Sequence, residues 1–369
     1  MSKNYPFSRR RCPHRVTGPP MHSLAPETLS RLTFSTEEAA ALSALAEARG
    51  RQALYIHQQP EVLESLRQAA VIESSESSNR LEGITAPRDR IEALVLRKAE
   101  MRDRSEQEIA GYRDALAIIH ESHEHMPFSV NVLLQLHSVV YRYHPTPGGR
   151  FKPTDNEIVE RGPDGRVSRV RFRPTPAIET PAAMESLAAR YATAVDGGLL
   201  PLAAVPLAIL DFLCVHPFSD GNGRVGRLAT LLLLYRSGFA LGRYISLERI
   251  IEESKETYYE ALYQSSQRWH EGRHDPHPWL NYFWGMLQRA SREFEERVAT
   301  LADGRMNKTD LVRAAVLRRV GAFTGTDIER DCPAVSRDLV RVVMRQLRDE
   351  GAIVLHGKGR GAKWTRNNL

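Results

Sequence analysis

Most of the chain repeats apolar positions with the period of an α-helix. Apolar side chains recur three and four residues apart in 109–119 and 130–141, whereas 202–215 is apolar almost throughout. The first two patterns are typical of amphipathic helices, and the third is typical of a helix buried on every side. Residues 150–176 instead contain short β-prone segments joined by a Gly-Pro-Asp-Gly turn, which predicts a hairpin. We therefore expect a mainly α-helical protein with one β-hairpin.

Capping signals predict where two of the early helices begin. Ser35 and Glu38 have the spacing of a capping box, and so do Ser105 and Glu108. Each pair predicts a helix start at its serine. Gly50 predicts the end of the first of these helices, since glycine favours a helix C-terminus.

The composition is that of a soluble protein. The chain has 369 residues, of which 42% are apolar and 26% are charged, and no apolar run reaches the roughly 20 residues that a membrane span needs. Its three cysteines, Cys12, Cys214 and Cys332, are odd in number and far apart. That usage favours a reducing compartment over a disulfide framework, so we expect a cytoplasmic protein without membrane contact.

Charge is distributed unevenly around a net value of +6. Residues 305–369 hold fourteen Lys/Arg and seven Asp/Glu, and the first twenty residues hold five Lys/Arg and no acidic residue. The remaining middle of the chain is therefore acidic. Any interpretation of nucleic-acid binding must rest on the C-terminal end.

One stretch of twelve residues, from His216 to Arg227, concentrates the chemistry of the chain. Gly221 and Gly223 permit positive φ angles and close approach of backbone N–H groups to an anion. A helix is predicted to begin there, so its free N–H groups and its dipole face the same point. An imidazole beside such a site can take a proton from a hydroxyl that attacks phosphorus. The stretch therefore predicts a phosphate site with a general base.

Three charged side chains of this stretch suit a phosphate ligand. Asp220 is its one carboxylate and suits a Mg²⁺ ion shared with phosphate oxygens. Arg224 and Arg227 lie three residues apart on a predicted helix, so their guanidinium groups can hold phosphates together.

The stretch resembles the Fic domain family, because it meets every position of the pattern H-x-F-x-[DE]-G-N-G-R-x-x-R. Members are mostly helical and typically transfer AMP from ATP to a Ser, Thr or Tyr hydroxyl of a target protein. The resemblance implies that His216 deprotonates the target hydroxyl and that Asp220 holds Mg²⁺ on the α- and β-phosphates. The residues that it implies for binding the phosphates of ATP are Gly221, Asn222, Gly223, Arg224 and Arg227.

The resemblance extends beyond this loop. Segments 147–151, 170–174 and 258–262 look like the family's pattern, so the likeness covers roughly residues 30 to 300. In the family the hairpin is a flap that aligns the target over the active site. The flap residues that it implies here are Val170, Arg171 and Phe172. The related Doc kinases carry Ala-Asn-Lys where this chain has Gly-Asn-Gly at 221–223, which argues against kinase activity.

A second motif lies upstream, at Ser78-x-x-x-Glu82-Gly83. It is similar to the inhibitory motif [ST]-x-x-x-E-[GN] of Fic proteins that carry their inhibition before the catalytic domain. The resemblance implies that Glu82 pairs with Arg227 and blocks productive placement of the γ-phosphate, since a carboxylate and a triphosphate compete for one guanidinium. In some members the same glutamate activates water to remove AMP, and the motif leaves both directions open.

The C-terminal end resembles a winged helix-turn-helix unit. Thr326 and Glu329 have capping-box spacing, Ser336 opens a second helix, and short strands are predicted at 352–355 and 362–365. Arginines spaced along one side of the second helix suit DNA phosphates and the major groove. The alternative is an interaction or dimer module with a solvated basic face. The arginines are Arg337, Arg341, Arg345 and Arg348.

These observations predict an autoinhibited protein adenylyltransferase that uses ATP and Mg²⁺. The alternatives are an enzyme that removes AMP through Glu82, and a DNA-binding regulator whose Fic domain senses nucleotide. The expected partners are a target protein with a Ser, Thr or Tyr hydroxyl, DNA through the C-terminal unit, and a second copy of the chain in a homodimer. We divide the chain into a disordered basic tail (1–30), a helical region with the inhibitory motif (31–125), a Fic catalytic core (126–303) and a winged helix-turn-helix domain (304–369).

Overall fold

The predicted mainly α-helical architecture is confirmed by the computed structural model. Residues 1–22 of the predicted basic tail (1–30), the hairpin turn at 162–165 and the wing residues 358–362 lie outside the described residues. The structure describes residues 23–58, 60–97, 99–161, 166–302, 308–317, 319, 321–332, 335–357 and 363–367.

The first helices confirm one predicted boundary and correct another. The Ser35–Glu38 capping box is present, with Ser35 N donating to Glu38 Oε2 at 2.9 Å and Glu38 N donating to Ser35 Oγ at 3.2 Å. The predicted stop at Gly50 is wrong, because the helix continues through it. A glycine inside a helix costs only about 1 kcal/mol, which burial of the apolar face of this helix offsets. The helices are α1 (Pro26–Leu29), α2 (Thr36–Gln58), α3 (Pro60–Arg80) and α4 (Arg88–Arg97).

The next helices form the centre of the molecule. The expected fully buried helix is present, since almost every side chain of 201–215 is buried. The predicted capping box at Ser105 is wrong, because Asp103 is the N-cap and accepts from Glu106 N at 2.9 Å. Glu108 therefore does not cap the helix, and it is buried. The helices are α5 (Arg104–Ser122), α6 (Val130–Val140), α7 (Thr180–Asp196), α8 (Pro201–Val215) and α9 (Asn222–Arg236).

The hairpin forms where the sequence predicts it. Strands β1 (Ile158–Arg161) and β2 (Val167–Phe172) pair antiparallel, with Val159 opposite Val170. The chain then continues through α10 (Leu247–Glu253), α11 (Lys255–Ser266) and α12 (His277–Ala302). One hydrophobic core runs from Leu24 to Val298, so the helices that precede residue 126 and those that follow it share one core. No helix among the described residues has both the length and the apolar character needed to cross a bilayer.

The C-terminal residues build a separate hydrophobic core within 312–353. The expected capping box lies two residues earlier than predicted, at Thr324 and Asp327, which replaces the wrong assignment to Thr326 and Glu329. Phe323 pairs with Trp364, so a third extended segment joins the two C-terminal strands. The elements are α13 (Lys308–Leu317), α14 (Gly325–Asp331), α15 (Arg337–Asp349), β3 (Ile353–His356) and β4 (Lys363–Arg366).

Candidate active site

The connection between α8 and α9 is held in a fixed shape by two left-handed residues and one side chain. His216 caps α8 with φ 50° and ψ 62°, and Gly221 precedes α9 with φ 79°. The Asn222 side chain then spans the loop, since its Oδ1 accepts from Phe218 N at 2.9 Å and its Nδ2 donates to Phe218 O at 2.8 Å. The Asn222 amide group is therefore engaged in holding the loop, and this residue offers its backbone N–H to a ligand.

The contacts and burial of His216 favour a neutral imidazole that can act as a base. Its Nδ1 lies 3.3 Å from the carbonyl oxygen of Leu213, which can only accept, so Nδ1 carries the proton and Nε2 keeps its lone pair. Burial lowers the pKa of His216 from 6.5 to about 4, and the positive charge of Lys152 acts in the same direction. Lys152 Nζ also donates to the carbonyl oxygen of Val215 at 3.2 Å, which fixes the end of α8. The imidazole is therefore neutral at neutral pH, and the lone pair of Nε2 can accept a proton.

The start of α9 offers backbone donors to an anion. The first intrahelical bond after the loop is made by Val225 N, which donates to Gly221 O at 2.9 Å. The amides of Asn222, Gly223 and Arg224 precede it, and the first amides of a helix have no intrahelical acceptor. Together with the positive end of the helix dipole they form an anion-binding site, as the sequence predicts.

Arg224 is the most deeply buried charge of the site. Its side chain is 1% exposed, and its Nη1 donates to Glu108 Oε2 at 2.7 Å. Its Nη2 donates to the Tyr141 hydroxyl at 2.9 Å. Sequence reasoning missed both partners, because they come from α5 and from the end of α6, far from the loop along the chain. A buried guanidinium needs an acidic partner, and that requirement was the only signal that could have predicted a partner for Arg224.

Helix α6 also supports the loop through a histidine that sequence reasoning missed. His137 Nδ1 accepts from Gly149 N at 2.8 Å, so Nε2 carries the proton and donates to Asp220 O at 3.2 Å. The imidazole lies flat against the Phe218 ring, with centroids 3.9 Å apart and planes 6° apart. The position of Asp220 is thus set by α6 as well as by its own loop.

Asp220 has the properties of a Mg²⁺ ligand. Its side chain is 66% exposed, and only one oxygen, Oδ1, accepts a backbone bond, from Gly221 N at 2.7 Å. Partial burial acts to raise its pKa, but hydrogen bonding from Tyr141 and the charge of Arg224 outweigh burial and lower the pKa of Asp220. Within the described residues, no three His, Cys, Asp or Glu side chains surround a metal position. This donor set fits Mg²⁺, which usually takes one or two carboxylates and completes its shell with phosphates and water.

Arg227 is held by the end of helix α3. Its side chain is 4% exposed, and its Nε donates to Ser78 Oγ at 2.9 Å. Its Nη2 donates to Ser78 O and to Glu82 Oε1, both at 2.8 Å. Gly83, with φ 79°, ends the turn that carries Glu82. A Cβ atom at Gly223 would overlap the Glu82 carboxylate, so this close approach requires glycine at the start of α9.

A cleft of about 180 Å³ opens beside these residues. Its floor and walls are mostly apolar and aromatic, and Arg171 and Phe172 of the flap close one side. The predicted flap residue Val170 does not line this cleft. Residues Leu210, Leu213, Cys214 and Tyr263 were not predicted, because they lie on helix faces that read as ordinary core. The lining residues are Glu82, Ile158, Arg171, Phe172, Leu210, Leu213, Cys214, His216, Gly223, Arg227, Tyr258, Tyr259, Leu262, Tyr263 and Ser266.

The predicted arginine row of the C-terminal unit lies on α15. The opposite face of α15 is buried through Val340, Val343, Met344 and Leu347. Three of the four arginines face acidic neighbours, since Arg337 pairs with Glu329, Arg341 with Asp338 and Arg348 with Asp349. Arg337, Arg341, Arg345 and Arg348 are all exposed.

This mainly helical chain matches the model of the Fic/DOC family over residues 127–234. It is 29% identical over 147 residues to protein adenylyltransferase fic-1 of Caenorhabditis briggsae, an alignment that covers 37% of this chain and 25% of that protein. It is 31% identical over 77 residues to a Fido domain-containing protein of Dictyostelium discoideum, covering 21% of this chain and 50% of that one. The chain thus spans a quarter to a half of these curated relatives.

Solved structures share the fold. A Fic family protein from Desulfovibrio desulfuricans aligns with a TM-score of 0.60 and 22% identity over 92% of this chain and 98% of its own. A Fic domain protein from Bacteroides thetaiotaomicron gives a TM-score of 0.57 and 21% identity, covering 69% and 96%. Fic-1 residues 134–508 from C. elegans give a TM-score of 0.55 and 18% identity, covering 72% and 73%.

Proposed function

We propose that this protein is an adenylyltransferase that moves AMP from ATP to a Ser, Thr or Tyr hydroxyl of a target protein. One observation carries the proposal: the neutral imidazole of His216 lies at the same cleft as the unpaired amides that begin α9. A base and an anion site at one cleft suit attack of a hydroxyl on a phosphate. The name of the Caenorhabditis briggsae relative, protein adenylyltransferase, agrees with this chemistry.

In the proposed reaction, the amides of Asn222, Gly223 and Arg224 bind the α-phosphate. His216 Nε2 takes the proton of the target hydroxyl while its oxygen forms a bond to the α-phosphorus. The bond from that phosphorus to the β-phosphate oxygen breaks, and pyrophosphate leaves. Asp220 would hold Mg²⁺, and the chemistry that such an ion supplies is neutralisation of the negative charge on the phosphate oxygens.

The resting enzyme is proposed to be inhibited by Glu82. Its carboxylate lies 2.8 Å from Arg227 Nη2, and the γ-phosphate of ATP needs the same guanidinium. Two anions compete for one buried cation, so ATP binds productively only when Glu82 leaves. ATP concentration and any partner that moves the end of α3 would set the activity.

Transfer of label from ATP to protein tests this function. The purified Glu82→Gly variant is incubated with a cell lysate and with ATP labelled either at the α- or at the γ-phosphate. We expect protein to be labelled by α-labelled ATP only. The variant that carries His216→Ala together with Glu82→Gly should not label protein. The matched control is His125→Ala, which removes an exposed histidine remote from the loop. Equal α-labelling with and without His216 would refute the assignment.

Removal of AMP is a second candidate, because Glu82 lines the same cleft as His216 and could orient a water molecule there. A target labelled beforehand by Glu82→Gly supplies the test. If wild-type protein releases AMP from it and Glu82→Gly does not, the glutamate acts in removal.

DNA binding by the C-terminal unit is a third, independent candidate, supported by the exposed arginines of α15. Gel shifts of duplex DNA at increasing salt test it, since phosphate contacts weaken steeply as salt rises. Arg345→Ala is the key variant, because acidic neighbours face the other three arginines. Absence of a shift at low salt would exclude this role.

A further inference from the structure

A second concavity lies along the flap, next to the cleft that contains His216. This flap groove has a volume of about 480 Å³, with 170–173 on one side and 266–271 on the other. Arg171, Phe172 and Ser266 line both the groove and the cleft that contains His216. A chain segment lying in the groove would therefore continue directly into the site where the hydroxyl reacts.

The flap groove is basic. Arg171, Arg173 and Arg268 contribute three cations to its lining, and Glu271 is the acidic residue of the lining. Glu260 and Glu157, which pair with Arg171 and Arg173, lie outside the lining. The charge of the lining differs from the rest of the catalytic region, because the middle of the chain carries a net negative charge. A groove lined mainly by one sign of charge attracts ligands of the opposite sign.

The arginines of the groove have partners that a ligand can replace. Arg173 is 77% exposed and pairs with Glu157 at 3.0 Å, while Arg268 is 54% exposed and pairs with Glu271 at 3.0 Å. Exposed pairs of this kind contribute little to stability, because water screens them and both side chains lose rotamer freedom. A carboxylate brought by a partner can therefore take over the guanidinium at small cost.

The backbone conformation of Arg268 is a second, independent sign of function. Among the described residues, two that are not glycine have positive φ, namely His216 at 50° and Arg268 at 60°. Such conformations are unfavourable for residues with a Cβ atom and are concentrated at functional sites. Glycine would adopt this turn without strain, so the arginine side chain is retained at an energetic cost.

Side-chain contacts join the two walls of the groove. His270 stacks on Phe172, with ring centroids 5.4 Å apart and planes 9° apart. Its Nε2 also lies 2.7 Å from the carbonyl oxygen of Arg173. These contacts join the flap end to the turn that carries Arg268, so the arginines from the two walls are held across one groove.

We propose that the flap groove binds an acidic, extended segment of the target protein beside the hydroxyl that receives AMP. The inference rests on the proposed function, because a protein target supplies a polypeptide at this position. Carboxylates of the segment pair with Arg173 and Arg268, and the segment passes Arg171 and Phe172 to reach His216. The groove therefore selects targets with Asp or Glu near the modified residue.

Peptide binding to the full chain tests the proposal without requiring catalysis. The probes are two fluorescent peptides with one threonine, flanked on both sides by glutamates in one and by lysines in the other, measured by fluorescence anisotropy. We expect the acidic peptide to bind at least tenfold more tightly than the lysine peptide. The double variant Arg173→Glu, Arg268→Glu should reverse this preference. The control variant Arg31→Glu, Arg292→Glu makes the same charge change at exposed positions outside the groove. It should still prefer the acidic peptide.

A glycine variant separates binding from folding. Arg268→Gly should raise the thermal midpoint, because the left-handed turn is relaxed, yet weaken binding of the acidic peptide several-fold. Equal binding of both peptides, or no effect of the double charge reversal, would overturn the proposal. It would also be overturned if a duplex oligonucleotide bound as tightly as the acidic peptide and lost binding in the same variants. AMP transfer by Glu82→Gly is measured in parallel. Failure of the groove proposal changes only the peptide-binding result, whereas failure of the proposed function changes the AMP-transfer result.

Discussion

Replacement of Glu82 by glycine is expected to raise the rate of AMP transfer at low ATP about 10- to 150-fold. The Glu82 carboxylate accepts from Arg227 at 2.8 Å, and the guanidinium is almost fully buried. A hydrogen bond to a charged group contributes about 1.5–3 kcal/mol, and each 1.4 kcal/mol corresponds to a factor of ten in an equilibrium. Removing the contact shifts Arg227 towards ATP by that free energy, which gives the stated range.

The assay is the initial rate of label incorporation from α-labelled ATP, measured over a range of ATP concentrations. Glu82→Gln keeps the shape but removes the charge, so its activation should be smaller. Glu100→Gly removes an exposed glutamate from a loop remote from Arg227 and should leave the rate unchanged. If Glu82→Gly has the wild-type rate at every ATP concentration, competition for Arg227 is not what limits the enzyme.

Three further predictions concern the support of the site. Glu108→Ala leaves the buried Arg224 without its acidic partner and should lower the free energy of unfolding by about 3–5 kcal/mol in urea titration. Burial lowers the pKa of His120 to about 3 and that of His137 to about 4, so below pH 6.5 the unfolded chain binds these protons more readily. Stability should fall by about 2–3 kcal/mol per histidine between pH 6.5 and 4.5, and a flat profile in urea titrations would contradict this. Asn222→Ala removes both side-chain bonds across the loop, so it should reduce transfer more than it reduces ATP affinity, as measured by kcat and by calorimetry.

Much of the catalytic loop could be predicted because its residues are contiguous. The glycines among these twelve positions permit a left-handed turn, which the structure has at Gly221, and the stretch predicts a helix start and the chemistry of a base beside an anion site without knowledge of distant residues. The left-handed conformation of His216 was not predicted, and Gly223 lies within α9 without a positive φ. The burial of α8 could also be predicted, because its uniform apolar pattern predicts burial on every side. Local sequence is sufficient where local backbone geometry creates the property.

The support of the loop could not be predicted, because it comes from distant segments. Glu108 has the capping-box offset from Ser105, yet Asp103 caps the helix and Glu108 turns inward to Arg224. His137 reads as one polar position on an apolar helix, although its two nitrogens join Gly149 to the loop. Spacing along a helix shows which face a residue occupies, whereas its partner depends on what packs against that face.

Gly223 links the proposed inhibition to the proposed catalytic site. Its backbone N–H is one of the amides that begin α9, and a Cβ atom at this position would overlap the Glu82 carboxylate. Glu82 therefore lies beside the start of α9 as well as engaging Arg227. A phosphate bound to the Arg227 guanidinium and this carboxylate compete, since both need the same cation. In the proposed inhibition, one glutamate takes the place of a phosphate charge at Arg227, which requires no rearrangement of the catalytic loop.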